Sequence, residues 1–316
     1  MSVERTIPNS AWIILSIAVI AVSSGGIVLQ EMSQVKPLLR ASWRMQGTAL
    51  VLLPGFAYQC IRTSDLSPSR NDCFLVAGSS LFLAMHFGSW VWSLDNTSLV
   101  HSLLFVNTHP LVLVALMPIM GEAVRKGHLA GVALGLSGAI LALNDVGDGG
   151  QVTLIGDFAA FIGAVTVVGY ILAGRHLRSN RGMPIFVYAF PVTLGAGIWL
   201  SAASLIIEGS TISSLPSDGA LLGWIDPHWL VWVAYLSFGP GLCGHTGVNT
   251  VLRWIPPITV SIALLLEPVI GAVIGWLWTD EVIIGAPTVI GGLMMIAGAI
   301  TVTLQETGNT EGESVS

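Results

Sequence analysis

Apolar stretches long enough to cross a lipid bilayer recur along this chain from one end to the other. Residues 11–30, 185–207 and 284–304 are the plainest, each near the roughly 20 apolar residues that span a hydrocarbon core about 30 Å thick. Composition agrees with the pattern. Of the 316 residues 53% are hydrophobic and 9% charged, with a mean hydropathy of +0.79, whereas an ordinary soluble domain carries about 25% charged residues. A water-soluble globule is excluded. The apolar runs divide into ten expected helical spans, near 11–30, 37–59, 74–94, 98–118, 126–144, 154–174, 184–207, 228–249, 257–278 and 284–304. The first is long for a signal peptide and lacks a clear small-residue cleavage site, so it is expected to stay in the mature chain.

Charge is distributed unevenly over the connections between these spans. Arg5, Arg62, Arg70, Arg125, Lys126, Arg175, Arg178, Arg181 and Arg253 fall on the side of the N-terminus, and Lys36, Arg40 and Arg44 toward the other. By the positive-inside rule both termini are expected in the cytoplasm. Cys60, Cys73 and Cys243 have neither an even count nor a CxxC spacing and are expected to be inert apolar fillers.

Two segments share an order of landmarks. Pro110 is followed by Glu122, Gly131 and Gly138 at steps of 12, 9 and 7, and Pro268 by Glu281, Gly291 and Gly298 at steps of 13, 10 and 7. The glycine-rich stretches LAGVALGLSGAIL (129–141) and TVIGGLMMIAGAI (288–300) correspond most closely. Each unit then holds five spans. Because five is odd, the second unit must enter the membrane from the opposite side, and inverted duplication of this kind marks many secondary transporters with a midplane site between the repeats. The expected fold is an all-α integral membrane protein of ten transmembrane helices in two inverted five-helix repeats, residues 1–147 and 148–304, followed by a disordered polar tail, 305–316.

The blocks THPLVLVALMPIMGEAVRKGHLAGVALGLSGAIL, GDFAAFIGAVTVVGYILAGR and LLEPVIGAVIGWLWTDEVIIGAPTVIGGLMMIAGAI resemble the EamA-type members of the drug/metabolite transporter superfamily over nearly the whole chain. That resemblance implies a ten-helix alternating-access carrier of small metabolites such as amino acids, commonly an exporter, in the plasma or bacterial inner membrane. The halves differ in one respect: His109 precedes the first proline and Glu267 the second.

Pro110 and Pro268 are expected to kink their helices at mid-span, where a freed carbonyl is tolerated beside a wet cavity or a packing neighbour. His109 and Glu267 should lie at similar depth. Ionisable residues in hydrocarbon are costly and face the bundle interior, which makes the two a candidate proton-coupling and substrate-binding pair; the alternative is that each only bonds a neighbouring helix. Arg44 is a candidate for an anionic substrate group, with Arg40 and Trp43 beside it, although Lys36 and Arg40 could instead snorkel and Trp43 could face lipid. His86 and Trp90, one turn apart, are candidate pocket residues, and His101 a weaker one. His245 and Asn249, near a helix interrupted by Gly239, Pro240, Gly241 and Gly244, are candidate inner-gate residues. Glu122, Glu281 and Asp157 read as junction or cap residues. Gly131 and Gly135 permit close helix approach within the monomer.

No GxSxG elbow, HExxH, P-loop or cysteine cluster occurs in the sequence, so classical enzymology is not expected, nor is a cofactor or metal. The expected partners are a small-molecule substrate and the lipid bilayer, without nucleic acid, for a monomer or homodimer. The competing readings are a receptor or assembly subunit that kept the fold without transporting, and an intramembrane enzyme acting on lipid.

Overall fold

The computed structural model describes residues 7–63, 68–121, 123–142, 144, 152–213, 215–255, 260, 263–278 and 285–312, with side chains omitted at 142, 299, 303 and 305–312. Glu122 and Glu281 lie outside the described residues. Among those described the chain is helical, with one isolated bridge between Thr211 and Ala220.

The first helix is α1 (Asn9–Ser23), continued after a bend at Ser24 by α2 (Gly25–Glu31). Then follow α3 (Pro37–Arg62), α4 (Arg70–Leu94), α5 (Leu99–Val106), α6 (His109–Met120) and α7 (Lys126–Ala142). The second half opens with α8 (Leu154–Arg175) and α9 (Ile185–Ala203), each extended by one π-helical turn. It continues with α10 (Pro227–Leu236), a π-helical segment Ser237–Thr246, α11 (Gly247–Val251), α12 (Glu267–Trp278) and α13 (Ala286–Gly312). The last helix thus runs past 304 into the polar tail.

Among the described residues, five helical segments are long and apolar enough to cross a membrane: Asn9–Glu31, Arg70–Leu94, Leu99–Met120, Leu154–Asn180 and Ile185–Glu208. The helix α3 has the length, at 26 residues, but Arg40, Arg44 and its glutamines lower its hydropathy. Large apolar side chains such as Ile13, Ile61, Phe74, Ile206 and Leu277 stand exposed around the outside. That is the surface of a protein solvated by lipid, where contiguous apolar area has no cost.

Lipid tails are as apolar as leucine, so helices here associate through close backbone approach and polar contacts. The two glycine-rich helices, α7 and α13, lie against each other. A Cβ on Gly298 would come 2.5 Å from the Gly131 carbonyl oxygen, and one on Gly131 would come 2.9 Å from the Val302 nitrogen. The small-residue stripes therefore join the repeats within one chain.

Polar contacts supply the rest. At the connection end of α3, Glu208 accepts from the backbone nitrogens of Leu38 and Leu39 at 2.7 and 3.0 Å, while Lys36 donates to the Glu208 carbonyl. His101 bonds Asp157 at 3.0 Å through Nδ1 and Thr288 at 2.9 Å through Nε2, and Thr97 donates to Asp157 at 2.7 Å. This buried set ties α5 to α8 and α13. Asp157 therefore does more than cap: the Thr153 hydroxyl accepts from Gly156 as the N-cap of α8, which leaves the Asp157 carboxylate for its neighbours. The three cysteines are free and exposed.

Candidate functional site

Both proline motifs act one step earlier than the sequence suggests. In the first half the helix stops at Val106, Asn107 and Thr108 turn, and a new helix of 12 residues begins at His109. In the second half a turn at residues 265–266 precedes a helix that begins at Glu267 and is also 12 residues long. Pro110 and Pro268 therefore occupy the first turn of their helices, where the missing N–H would have no intrahelical partner in any case. They start half-helices and do not kink continuous ones. Asn107, in the first break, donates to the Leu103 carbonyl at 2.9 Å and to Glu267 at 3.3 Å, so its amide links the two interruptions.

Between them is a narrow cavity of about 50 Å³. On the scale where one water occupies about 10–15 Å³, it holds a few waters. The first repeat contributes Arg44, His86, Trp90, Asn107 and His109 to its wall, and the second Tyr170, His245 and Glu267.

Arg44 is buried, with its guanidinium 4.3 Å above the Phe87 ring and 5.8 Å from that of Trp90. A delocalised cation is attracted to an aromatic face. Stacking leaves hydrogen-bonding capacity over: among the described residues no acceptor meets Nε or Nη1 of Arg44, or the indole nitrogen of Trp90. His86 is oriented by a 2.9 Å contact between Nδ1 and the Gly163 carbonyl, and its ring lies 6.2 Å from Trp90 and 6.3 Å from His245. The π-helical segment accounts for the placement of His245. Pro240 and three glycines loosen the α-helical ladder, the Thr246 hydroxyl donates to the Gly241 carbonyl at 3.1 Å, and the π-helical turn leaves His245 facing Phe87, at 5.0 Å.

His109 is buried, and among the described residues neither ring nitrogen meets a hydrogen-bond partner. Glu267 pairs with Asn107, not His109. The two face one cavity without the direct contact that an ion pair would require.

Other expected site residues lie elsewhere. Arg40 is fully buried and held by Asp95 and the Val91 carbonyl, so it neither snorkels nor reaches the cavity. Trp43 is also fully buried: its indole donates to the Ala220 carbonyl at 3.1 Å and its ring lies 6.0 Å from Trp229. It ties the connection at Ala220 to α3, with Trp224 donating to Gln46 at 2.8 Å, and is not among the residues of the cavity wall. Asn249 sits one layer behind the cavity wall, donating to the Tyr170 hydroxyl and to the His245 carbonyl at 2.8 Å. His101 belongs to the Asp157 cluster. Asn107, Tyr170 and Phe87 were not singled out in the sequence; Phe87 stands directly beside His86, and Asn107 two residues before His109.

Residues 9–144 and 154–304 each match the profile of the EamA-like transporter family. The chain belongs to that family. The family assignment and the apolar helices make it a multi-pass integral membrane protein with transport as its family activity, and the matched intervals are two copies of one unit. No curated protein matches the sequence. A solved structure described only as "Crystal structure of protein" aligns with 94% of this chain and 97% of its own length, at a TM-score of 0.63 and 19% identity. That likeness concerns the fold alone, and within an EamA-like fold the cavity lies where residues of both copies meet.

Proposed function

We propose that this EamA-like protein is a secondary active transporter that exports small metabolites such as amino acids or related compounds. Ten transmembrane helices, arranged as two inverted five-helix repeats with cytoplasmic termini, rock about the central cavity and open it to each side in turn. One observation carries this reading. Arg44 of the first repeat and Glu267 of the second face one narrow cavity, and among the described residues neither is in an ion pair. A buried cation with free donors favours an anionic group, and a carboxylate nearby favours an ammonium, so a zwitterion satisfies both.

The half-helices that begin at His109 and Glu267 support the same reading. Carriers built from inverted repeats place interrupted helices at their substrate sites, where backbone groups freed by the break are tolerated. The histidines and Glu267 supply titratable groups for coupling to a proton gradient. The shape of the cavity limits substrates to small molecules, and the direction of transport rests on the family resemblance.

Counterflow of labelled amino-acid pools in proteoliposomes tests the reading. Saturable flux that is lost in Arg44→Ala is expected; no saturable flux for any pool would favour a receptor or assembly subunit that retained the fold. The inversion has its own test: cysteines introduced at Glu122 and Glu281 should react with impermeant reagents from opposite sides of the membrane, and labelling from one side only would refute it.

A further inference from the structure

A second opening lies well away from the central cavity, where the last turns of α3 meet the first turns of α4 and α9. Its volume is about 680 Å³, and its walls are mainly apolar, from Phe56, Val76, Ala77, Val187 and Pro191. Phe56 stacks on Phe190 at 4.5 Å to make one side firm. The deep end closes where Gly195 meets Ser80; a Cβ on Gly195 would lie 2.8 Å from the Ser80 side chain. Cys60, Cys73 and Ala77 are exposed along the open flank, so the groove faces sideways, toward lipid.

Its length is informative. At about 1.5 Å per residue, the stretch of α4 from Asp72 to Ser80 covers about 12 Å, and that of α9 from Ile185 to Gly195 about 15 Å. One leaflet contributes half of a hydrocarbon core of about 30 Å. The groove therefore runs from the helix ends, at the membrane surface, to about the middle of the bilayer.

Its mouth is positive. Arg181 grips Asp72 through Nε at 3.1 Å and Nη2 at 2.9 Å and is still half exposed. Asp72 also accepts from the Ser69 backbone at 2.9 Å, so its charge is fully engaged. Arg62 ends α3 and Arg70 begins α4, both exposed, and among the described residues neither forms an ion pair. Asp65, between them in sequence, lies outside the described residues.

We propose that this groove binds an anionic phospholipid of the leaflet on the N-terminal side, with one acyl chain between α3, α4 and α9 and its phosphate at Arg62, Arg70 and Arg181. A chain one leaflet long fits the apolar channel, and clustered arginines beside a helix end attract anionic headgroups. The site is independent of the central cavity and of the substrate carried there.

The native thiols report on occupancy. The full-length protein, purified in detergent and stripped of lipid, is alkylated with N-ethylmaleimide in the presence of dioleoyl phosphatidylglycerol or dioleoyl phosphatidylcholine, and each cysteine is quantified by mass spectrometry. Phosphatidylglycerol is expected to slow Cys60 and Cys73 by about 30-fold more than phosphatidylcholine does, the factor expected from the two arginines not already paired. Cys243, exposed on the distant π-helical segment, should react at an unchanged rate. In the double variant Arg62→Gln, Arg70→Gln the difference between the two lipids should disappear. Equal protection by both headgroups, protection of Cys243 in parallel, or no protection at all would overturn the proposal.

Discussion

Arg44 owes its position to Phe87 and Trp90, and stacking of this kind engages the π-face of a guanidinium but none of its donors. In the proposed carrier its value to a substrate lies in those donors. A hydrogen bond to a charged group contributes about 1.5–3 kcal/mol, so Arg44→Gln should weaken binding of carboxylate-bearing substrates by about 10- to 100-fold. Half-saturating concentrations for anionic, zwitterionic and cationic substrates measure this; an equal loss for cationic ones would detach Arg44 from anion binding. Glu267→Gln removes a titrating group from the cavity and keeps an amide that can still bond Asn107. Flux in that variant should no longer follow an imposed pH gradient while substrate exchange persists, and an unaltered response to the gradient would exclude Glu267 from coupling. Arg44, His86, Trp90, His109, His245 and Glu267 were legible because polar residues are rare in these apolar runs and each stands out. Arg40 and Trp43 stand outside the cavity wall for a local reason. Arg40 shares a face of α3 with Arg44, and Trp43 adjoins Arg44 in sequence, but their partners, Asp95 and the Ala220 carbonyl, come from segments far away in the chain.

At the level of helices, the proline motifs were recognisable but their mechanical meaning was not. A proline inside a long apolar run reads as a kink until the chain is seen to stop at Asn107–Thr108 and at 265–266 and to restart on the ionisable residue. No local signal separates a first-turn proline from an interior one when both flanks are apolar. The glycine-rich helices were easier, because a run of small residues marks a face where another helix can approach closely. Gly298→Leu should lower the thermal stability of the detergent-solubilised protein sharply, since the new side chain would meet the α7 backbone; Gly219→Leu, with open space around it, serves as the control. If the two variants melt alike, the α7–α13 contact is not close. The Asp157 cluster makes a parallel case. Asp157→Ala would leave His101 and Thr97 buried without their acceptor, a loss of about 3–5 kcal/mol by analogy with breaking one side of a buried pair. A melting temperature within error of the wild type would show the cluster to be dispensable.

For the whole molecule, the duplication explains why one chain needs two half-helices, two glycine-rich helices and one cavity between them. Duplication could be seen in the ordered steps after Pro110 and Pro268, whereas which of the polar residues meet around one cavity could not, because its walls come from seven separated stretches of chain. The central claim is that this cavity opens to both sides of the membrane. The direct measurement replaces Cys60, Cys73 and Cys243 by serine, introduces Val106→Cys in the cavity wall, and follows alkylation by an impermeant maleimide applied to either face of proteoliposomes. Reaction from both faces, slowed from each by a transported substrate, is the predicted result. Reaction confined to one face, under every substrate and pH gradient applied, would contradict it.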